Sequence, residues 1–156
     1  MRFFLVDRIT KLVPGKQATA IKCWSLDNVI FRDHFPGFPT TPGVLLTESM
    51  AQLAGILIEK SYYKEYGESQ KVYPVLSIIQ KAKFKKFVRP GDQCFLYADV
   101  TCVDKGRGTA KVKTMVGEEE VCSAILSFVI ALESDMEKNP FLGKKDEYLH
   151  NIMPKS

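Results

Sequence analysis

The chain has 156 residues, of which 46% are apolar and 26% charged, and a formal net charge of +4. That length suits one folded domain with a sizeable core rather than two. The charge is too slight, and too unaccompanied by any binding motif, for a nucleic-acid-binding protein, and no apolar run reaches the roughly 20 residues a membrane-spanning helix needs.

At the amino terminus, Met1 to Asp7 offers too short an apolar run for a secretory signal and no small-residue cleavage site, so a cytoplasmic location is expected. Residues Gln17 to Leu26 follow a Pro14-Gly15 turn, mix β-branched with polar side chains, and predict a strand with Trp24 in the core or an interface. Asp27 to Asp33 is then a loop.

The chain is organised around His34 to Gly55, HFPGFPTTPGVLLTESMAQLAG. Pro36, Pro39 and Pro42 each fix φ and push the preceding residue towards extended backbone, which gives a stiff loop able to deliver His34 to a defined place. A helix is predicted to follow, capped by Thr40 or Thr41, with Pro42 in its first turn and a stop at Gly67. It is apolar nearly all round from Val44 to Ile58, the pattern of a buried helix.

Within that run Glu48 and Gln52 stand out, and their spacing of four puts them one turn apart on one face. An unpaired carboxylate in a core is expensive when ionised, so burial would favour its protonated form and suit it to a general acid. A structural ion pair with a lysine or arginine is the other reading. Gln52 could orient the carboxylate or merely cap a polar pocket. Gly43 would let a ligand approach the backbone, where the free N–H groups of the first turn, including that of Val44, can receive a carbonyl oxygen gaining charge.

Beyond Gly67 the pattern turns strand-like over Val72 to Val88, Cys94 to Val103, Thr109 to Val116 and Val121 to Leu132. Turns fall at Pro90-Gly91-Asp92, at Lys105-Gly106-Arg107-Gly108 and at Gly117-Glu118-Glu119. One long buried helix among antiparallel strands implies an α+β fold in which the sheet wraps the helix. The domain is expected over residues 1–132, and residues 133–156, with Asn139-Pro140 and Met153-Pro154, form a C-terminal extension of no assigned role, either a short helix or a mobile tail.

Cys23, Cys94, Cys102 and Cys122 are widely spaced, with no Cys-x-x-Cys pair or neighbouring histidine, so they are expected to be buried or half-buried reduced thiols and no metal is expected. Lys81, Lys83 and Lys85 alternate along a strand and should share one face. Usually such a face is only solvated.

The run H-F-P-G-x-P-x-x-P-G-V-L-x-x-E-x-M-A-Q-x-A-G resembles the signature of the β-hydroxyacyl-acyl-carrier-protein dehydratases of dissociated fatty-acid synthesis. Val6-Asp7-Arg8-Ile9, Pro14-Gly15-Lys16, Lys81-Ala82-Lys83-Phe84 and Pro90-Gly91-Asp92 extend the likeness, which covers roughly residues 3 to 131. The resemblance implies the hotdog fold and a hydro-lyase that removes water from a 3-hydroxyacyl thioester to leave the trans-2-enoyl thioester. On it, His34 is the base, Glu48 the acid, and Gly43 with Val44 the oxyanion site. It implies no metal or redox cofactor, the substrate being carried on the phosphopantetheine of an acyl carrier protein.

It also implies a homodimer whose sites are completed across the interface, or a trimer of such dimers. Phe35, Phe38, Leu45, Val75, Leu76, Ile78 and Phe87 are then candidates for the acyl tunnel. Lys81, Lys83, Lys85, Lys86 and Arg89 are candidates for docking an acidic carrier protein. The chain departs from the family's common pattern at Asp33, where glycine is usual, at Gln80, where aspartate is usual, and at Val75, where many relatives carry a tyrosine. These departures point to an acyl chain other than the common ones. Two alternatives stand beside this reading: a non-catalytic carrier-binding subunit of a heteromeric dehydratase, and a hotdog acyl thioesterase.

Overall fold

The computed structural model describes residues 3–135 and 148–154. Its centre is a 24-residue helix, α1 (Gly43–Tyr66), which buries Leu46, Met50, Leu53, Leu57 and Ile58. Its buried hydroxyls are spent locally: Thr47 Oγ1 donates to the Gly43 carbonyl at 3.1 Å and Ser49 Oγ to the Leu45 carbonyl at 2.9 Å, so no polar group is stranded by burying them.

Around α1 run β1 (Arg8–Val13), β2 (Gln17–Cys23), β3 (Val72–Phe84), β4 (Gln93–Val103), β5 (Arg107–Val116) and β6 (Glu119–Leu132). They form one antiparallel sheet in the order β1-β2-β4-β5-β6-β3. Alternation decides which face meets the helix: Ala110, Val112 and Thr114 of β5 are buried while Lys111 and Lys113 between them are exposed. Many inward positions are small, namely Ala18, Ala20, Ala98, Ala110 and Ala124, which leaves room for a bulky helix against a curved sheet. Helix and sheet approach closely at Gly108, where a Cβ would lie 2.5 Å from Ile58 Cγ2. This is the α+β hotdog arrangement that the sequence implies.

The details correct several expectations. The amino-terminal segment contributes a strand, β1, that no alternation marked clearly. β2 ends at Cys23, so Leu26 is exposed, while Trp24 is fully buried. The loop before His34 holds a 3-10 turn at Val29–Arg32. β3 ends at Phe84 rather than Val88, because residues 85–88 turn away to bring Val88 into the core. The turns expected between strands all occur, and the one between β4 and β5 is held by Asp104 Oδ1, which accepts from the Gly106 and Arg107 amides at 2.8 Å.

The expected C-terminal extension falls partly on residues 136–147 and 155–156, Asn139-Pro140 included, which lie outside the described residues. Residues 148–152 are helical, and Ile152 packs into the main core. Among the described residues no helix is long and apolar enough to cross a membrane.

Candidate active site

The histidine loop is held by backbone rather than by its prolines alone. The Thr40 amide donates to the His34 carbonyl at 2.9 Å, and Phe35 and Phe38 exchange two backbone hydrogen bonds at 3.1 and 2.9 Å, closing a tight ring around Pro36 and Gly37. His34 Nδ1 lies 2.9 Å from the Thr40 carbonyl oxygen. A carbonyl only accepts, so Nδ1 carries the proton, and in the neutral ring Nε2 keeps its lone pair. The ring is half-buried and stacks on Phe35 at a centroid distance of 4.0 Å.

The same loop is pinned to the sheet. Thr41 N donates to the Val88 carbonyl at 2.7 Å and Thr40 Oγ1 donates to the same oxygen at 3.1 Å. This overturns the expected threonine cap, since Thr40 is committed elsewhere and Pro42 is the N-cap of α1, with no side-chain cap hydrogen bond. The leading amides of α1, at Gly43 and Val44, therefore begin the helix without a side-chain acceptor, and the helix dipole adds partial positive charge there. Gly43 packs closely on Phe84: a Cβ would fall 2.8 Å from Phe84 Cε1, and the ring would have to shift to admit it.

Glu48 is half-buried on the wall of a cavity rather than sealed in the core. Gln52 Nε2 donates to Glu48 Oε1 at 3.0 Å and to the Phe3 carbonyl at 2.9 Å, while Gln52 Oε1 accepts from the Leu5 amide at 2.8 Å. All the amide's strong directions are thus used. The cavity, about 340 Å³, is also lined by Ala51, Gly55, Ile56, Pro74, Leu76 and Phe128. Such a volume is at the lower end for small-molecule sites. His34 is not on its wall.

Of the tunnel candidates, Leu76 lines this cavity; Phe35, Phe38, Leu45, Val75, Ile78 and Phe87 do not. Phe35, Val75, Ile78 and Phe87 are about half or more exposed, and Phe38 packs edge-on to Phe87 at 5.3 Å. Leu45 is half-buried.

The lysines do not form one simple stripe. A bulge between Gln80 and Lys83, with Lys81 at φ 51°, breaks the alternation. Lys81 and Lys83 face a groove shared with Lys111 and Lys113, whereas Lys85 pairs with Glu120 at 2.7 Å and Lys86 pairs with Glu119. Arg89 stands 4.8 Å from the centre of the Phe38 ring.

The thiols divide in a way the sequence did not show. Cys94 and Cys122 are fully buried, but Cys23 and Cys102 are exposed, against the expectation that all would be buried or half-buried. Burial pushes the Cys94 thiol up to about 12 and the Cys122 thiol up to about 11.

Sequence reasoning missed the residues that complete the Glu48 cavity from the two ends of the described chain, Phe3 and Phe4 on one side and Tyr148 and Leu149 on the other. A pair of aromatics before the first strand and a Tyr-Leu pair after a charged stretch were the available signals, and neither has a period or motif to announce it.

Comparison with known proteins agrees with this architecture. The solved dehydratase heterocomplex ApeI:P from Xenorhabdus doucetiae superposes with a TM-score of 0.68 over 86% of this chain and 87% of that one, at 14% identity. A hypothetical thioesterase with coenzyme A from Streptococcus pneumoniae superposes with a TM-score of 0.63 over 80% and 85%, at 13% identity. These likenesses establish the fold. In sequence, the chain is 42% identical over 130 residues to the 3-hydroxyacyl-[acyl-carrier-protein] dehydratase FabZ of Levilactobacillus brevis, covering 83% of this chain and 84% of that protein. It is 40% identical over 131 residues to the protein of the same name from Caldanaerobacter subterraneus, covering 84% and 89%. The sequence model of the FabA-like domain matches residues 1–125, and with these relatives it places the chain in the FabA-like domain family.

Proposed function

We infer that this protein is a 3-hydroxyacyl-[acyl-carrier-protein] dehydratase, a hydro-lyase in which His34 is the base and Glu48 the acid. The observation that carries the assignment of roles is the commitment of His34 Nδ1 to the Thr40 carbonyl, which leaves Nε2 as the basic nitrogen. In the dehydration direction Nε2 takes the proton from the carbon next to the thioester. Electron density moves onto the thioester oxygen, where the Gly43 and Val44 amides at the head of α1 supply donors and the helix dipole. The double bond then forms as the bond from the adjacent carbon to its hydroxyl breaks, and Glu48 gives that oxygen its proton so that water departs. Gln52 holds the carboxylate in place. The substrate is carried on the phosphopantetheine of an acyl carrier protein, and the mechanism asks for no metal or redox cofactor.

The working unit is a homodimer with each site made from His34 of one protomer and Glu48 of the other. Two observations support it. His34 is absent from the wall of the cavity that Glu48 lines within one protomer. β3 stands at the edge of the sheet with Val75, Ile78 and Ile79 each about half exposed, an apolar edge that is a liability unless a second copy covers it. The basic residues Lys85, Lys86 and Arg89 lie beside the exposed Phe84 and Phe87 and are suited to an acidic carrier protein.

The test is turnover of 3-hydroxyacyl carrier-protein thioesters, followed by mass spectrometry, for wild type, His34→Ala, Glu48→Gln and an equimolar mixture of the two variants after subunit exchange. Wild type should lose water from the substrate and each variant alone should not. Random exchange makes half the dimers mixed, each with one intact site, so the mixture should recover about a quarter of wild-type activity. A mixture as inactive as its parts would exclude shared sites, and release of free acid in place of water would make the enzyme a thioesterase.

A further inference from the structure

We propose that Tyr148 and Leu149 are specificity-determining residues that wall the acyl pocket beside Glu48 and limit the length of acyl chain it accepts. The inference rests on the dehydratase reading above and adds a part of the chain that neither the reaction nor the family match uses. The FabA-like model stops at residue 125, so the helix at 148–152 lies beyond the stretch that it matches. Yet Tyr148 and Leu149 stand on the same cavity wall as Glu48 and Gln52.

Their position is built, not incidental. The Tyr148 hydroxyl donates to the Val6 carbonyl at 2.7 Å and accepts from the Val6 amide at 3.2 Å, taking the place of a strand partner for that residue. The Tyr148 ring lies flat on Phe4, with centroids 4.0 Å apart and planes inclined by 16°. One turn on, Ile152 is 4% exposed in the main core and anchors the short helix from behind. The segment from Phe3 to Val6 is thus gripped on one side by Gln52 and on the other by Tyr148, and the cavity lies among them.

The chemistry of the wall selects the ligand. Glu48 and Gln52 supply its polar part, and Ile56, Leu76, Phe128 and Leu149 give it apolar surface over about two turns of α1, or about 12 Å from Glu48 to Ile56. A polar reaction centre at one part of a small apolar cavity is suited to an alkyl chain attached to the reacting carbon. Any side chain on that wall takes volume from the alkyl chain, and a methylene too many or too few in such a pocket changes selection by roughly 10- to 200-fold.

The experiment compares kcat/KM for 3-hydroxyacyl carrier-protein thioesters from four to sixteen carbons, on the full chain, for wild type, Leu149→Ala and Leu149→Trp. Melting temperature is measured in parallel. Leu149→Ala should move the preferred chain longer and Leu149→Trp shorter, each changing the long-to-short ratio of kcat/KM by about tenfold or more. Binding of saturated acyl-pantetheine thioesters of graded length, read by calorimetry, should shift in the same two directions and does not depend on turnover. If wild type dehydrates its substrates and two folded variants keep its chain-length profile in both assays, the wall assignment is wrong while the dehydratase reading stands. If wild type dehydrates none of the thioesters, that reading fails, and an unshifted binding profile then removes the wall assignment as well.

Discussion

Gln52 spans the gap between α1 and the amino-terminal segment: its Nε2 reaches Glu48 Oε1 at 3.0 Å while its Oε1 accepts from the Leu5 amide at 2.8 Å. A single amide therefore both holds the carboxylate and satisfies the backbone of a segment that lies outside the sheet. Gln52→Leu keeps the size but strands the amide of the buried Leu5, at a cost of about 1–3 kcal/mol, while the carbonyl of the exposed Phe3 can turn to water. The expected outcome is a lower denaturation midpoint in urea together with a fall in kcat larger than the change in KM. A variant with reduced stability but unchanged kcat would reduce Gln52 to a structural clamp.

Gly43→Ala tests the head of α1. The new Cβ would meet Phe84 Cε1 at 2.8 Å, but Phe84 is 53% exposed and its ring can rotate outward. Stability should fall by less than about 1 kcal/mol. On the proposed mechanism activity should fall by about tenfold or more, because the displaced ring disturbs the place proposed for the thioester oxygen. Gly43→Ala combined with Phe84→Ala removes the clash and should return much of that loss, as measured by kcat/KM and melting temperature side by side.

The cysteines give a prediction that is independent of catalysis. Brief alkylation of the native protein at pH 8 should label Cys23 and Cys102 and spare Cys94 and Cys122, with all four labelled after denaturation, as read by peptide mass spectrometry. The same burial gives an alkaline limit. Cys94 is raised from 9.0 to about 12, and Tyr148, through burial, from 10.0 to about 12. Between those values the unfolded chain has released a proton that the folded chain still holds. This contribution is therefore full below about pH 9 and is lost as pH rises towards 12. Equilibrium unfolding between pH 8 and 12 should show stability falling across that interval, and Tyr148→Phe should make the fall shallower.

How much of this was legible in the sequence depends on the range of the interaction. The helix was clear because thirteen of its positions are buried in a pattern that only a helix at the centre of a sheet can satisfy, and β5 was clear because its alternation survives intact. β1 was missed because its register against β2 shifts between Ile9 and Lys11. Of the expected lysine face, Lys81 and Lys83 do line one groove, whereas Lys85 falls beyond the end of β3 at Phe84 and pairs with Glu120, an end point that the alternation of the sequence does not mark. The His34, Glu48 and Gln52 constellation could be named from local spacing. The Tyr148–Val6 and Gln52–Leu5 contacts join residues too far apart along the chain for any local pattern to hold them.

The carbonyl of Val88 accepts from both Thr40 Oγ1 and the Thr41 amide, and Val88 itself is fully buried. The histidine loop is thereby moored to the buried core, and its opening requires either loss of two hydrogen bonds at once or retreat of the core at Val88. Its amides should exchange with solvent deuterium on the timescale of the sheet, despite an exposed, glycine- and proline-rich sequence that would ordinarily mark the most mobile stretch of a protein.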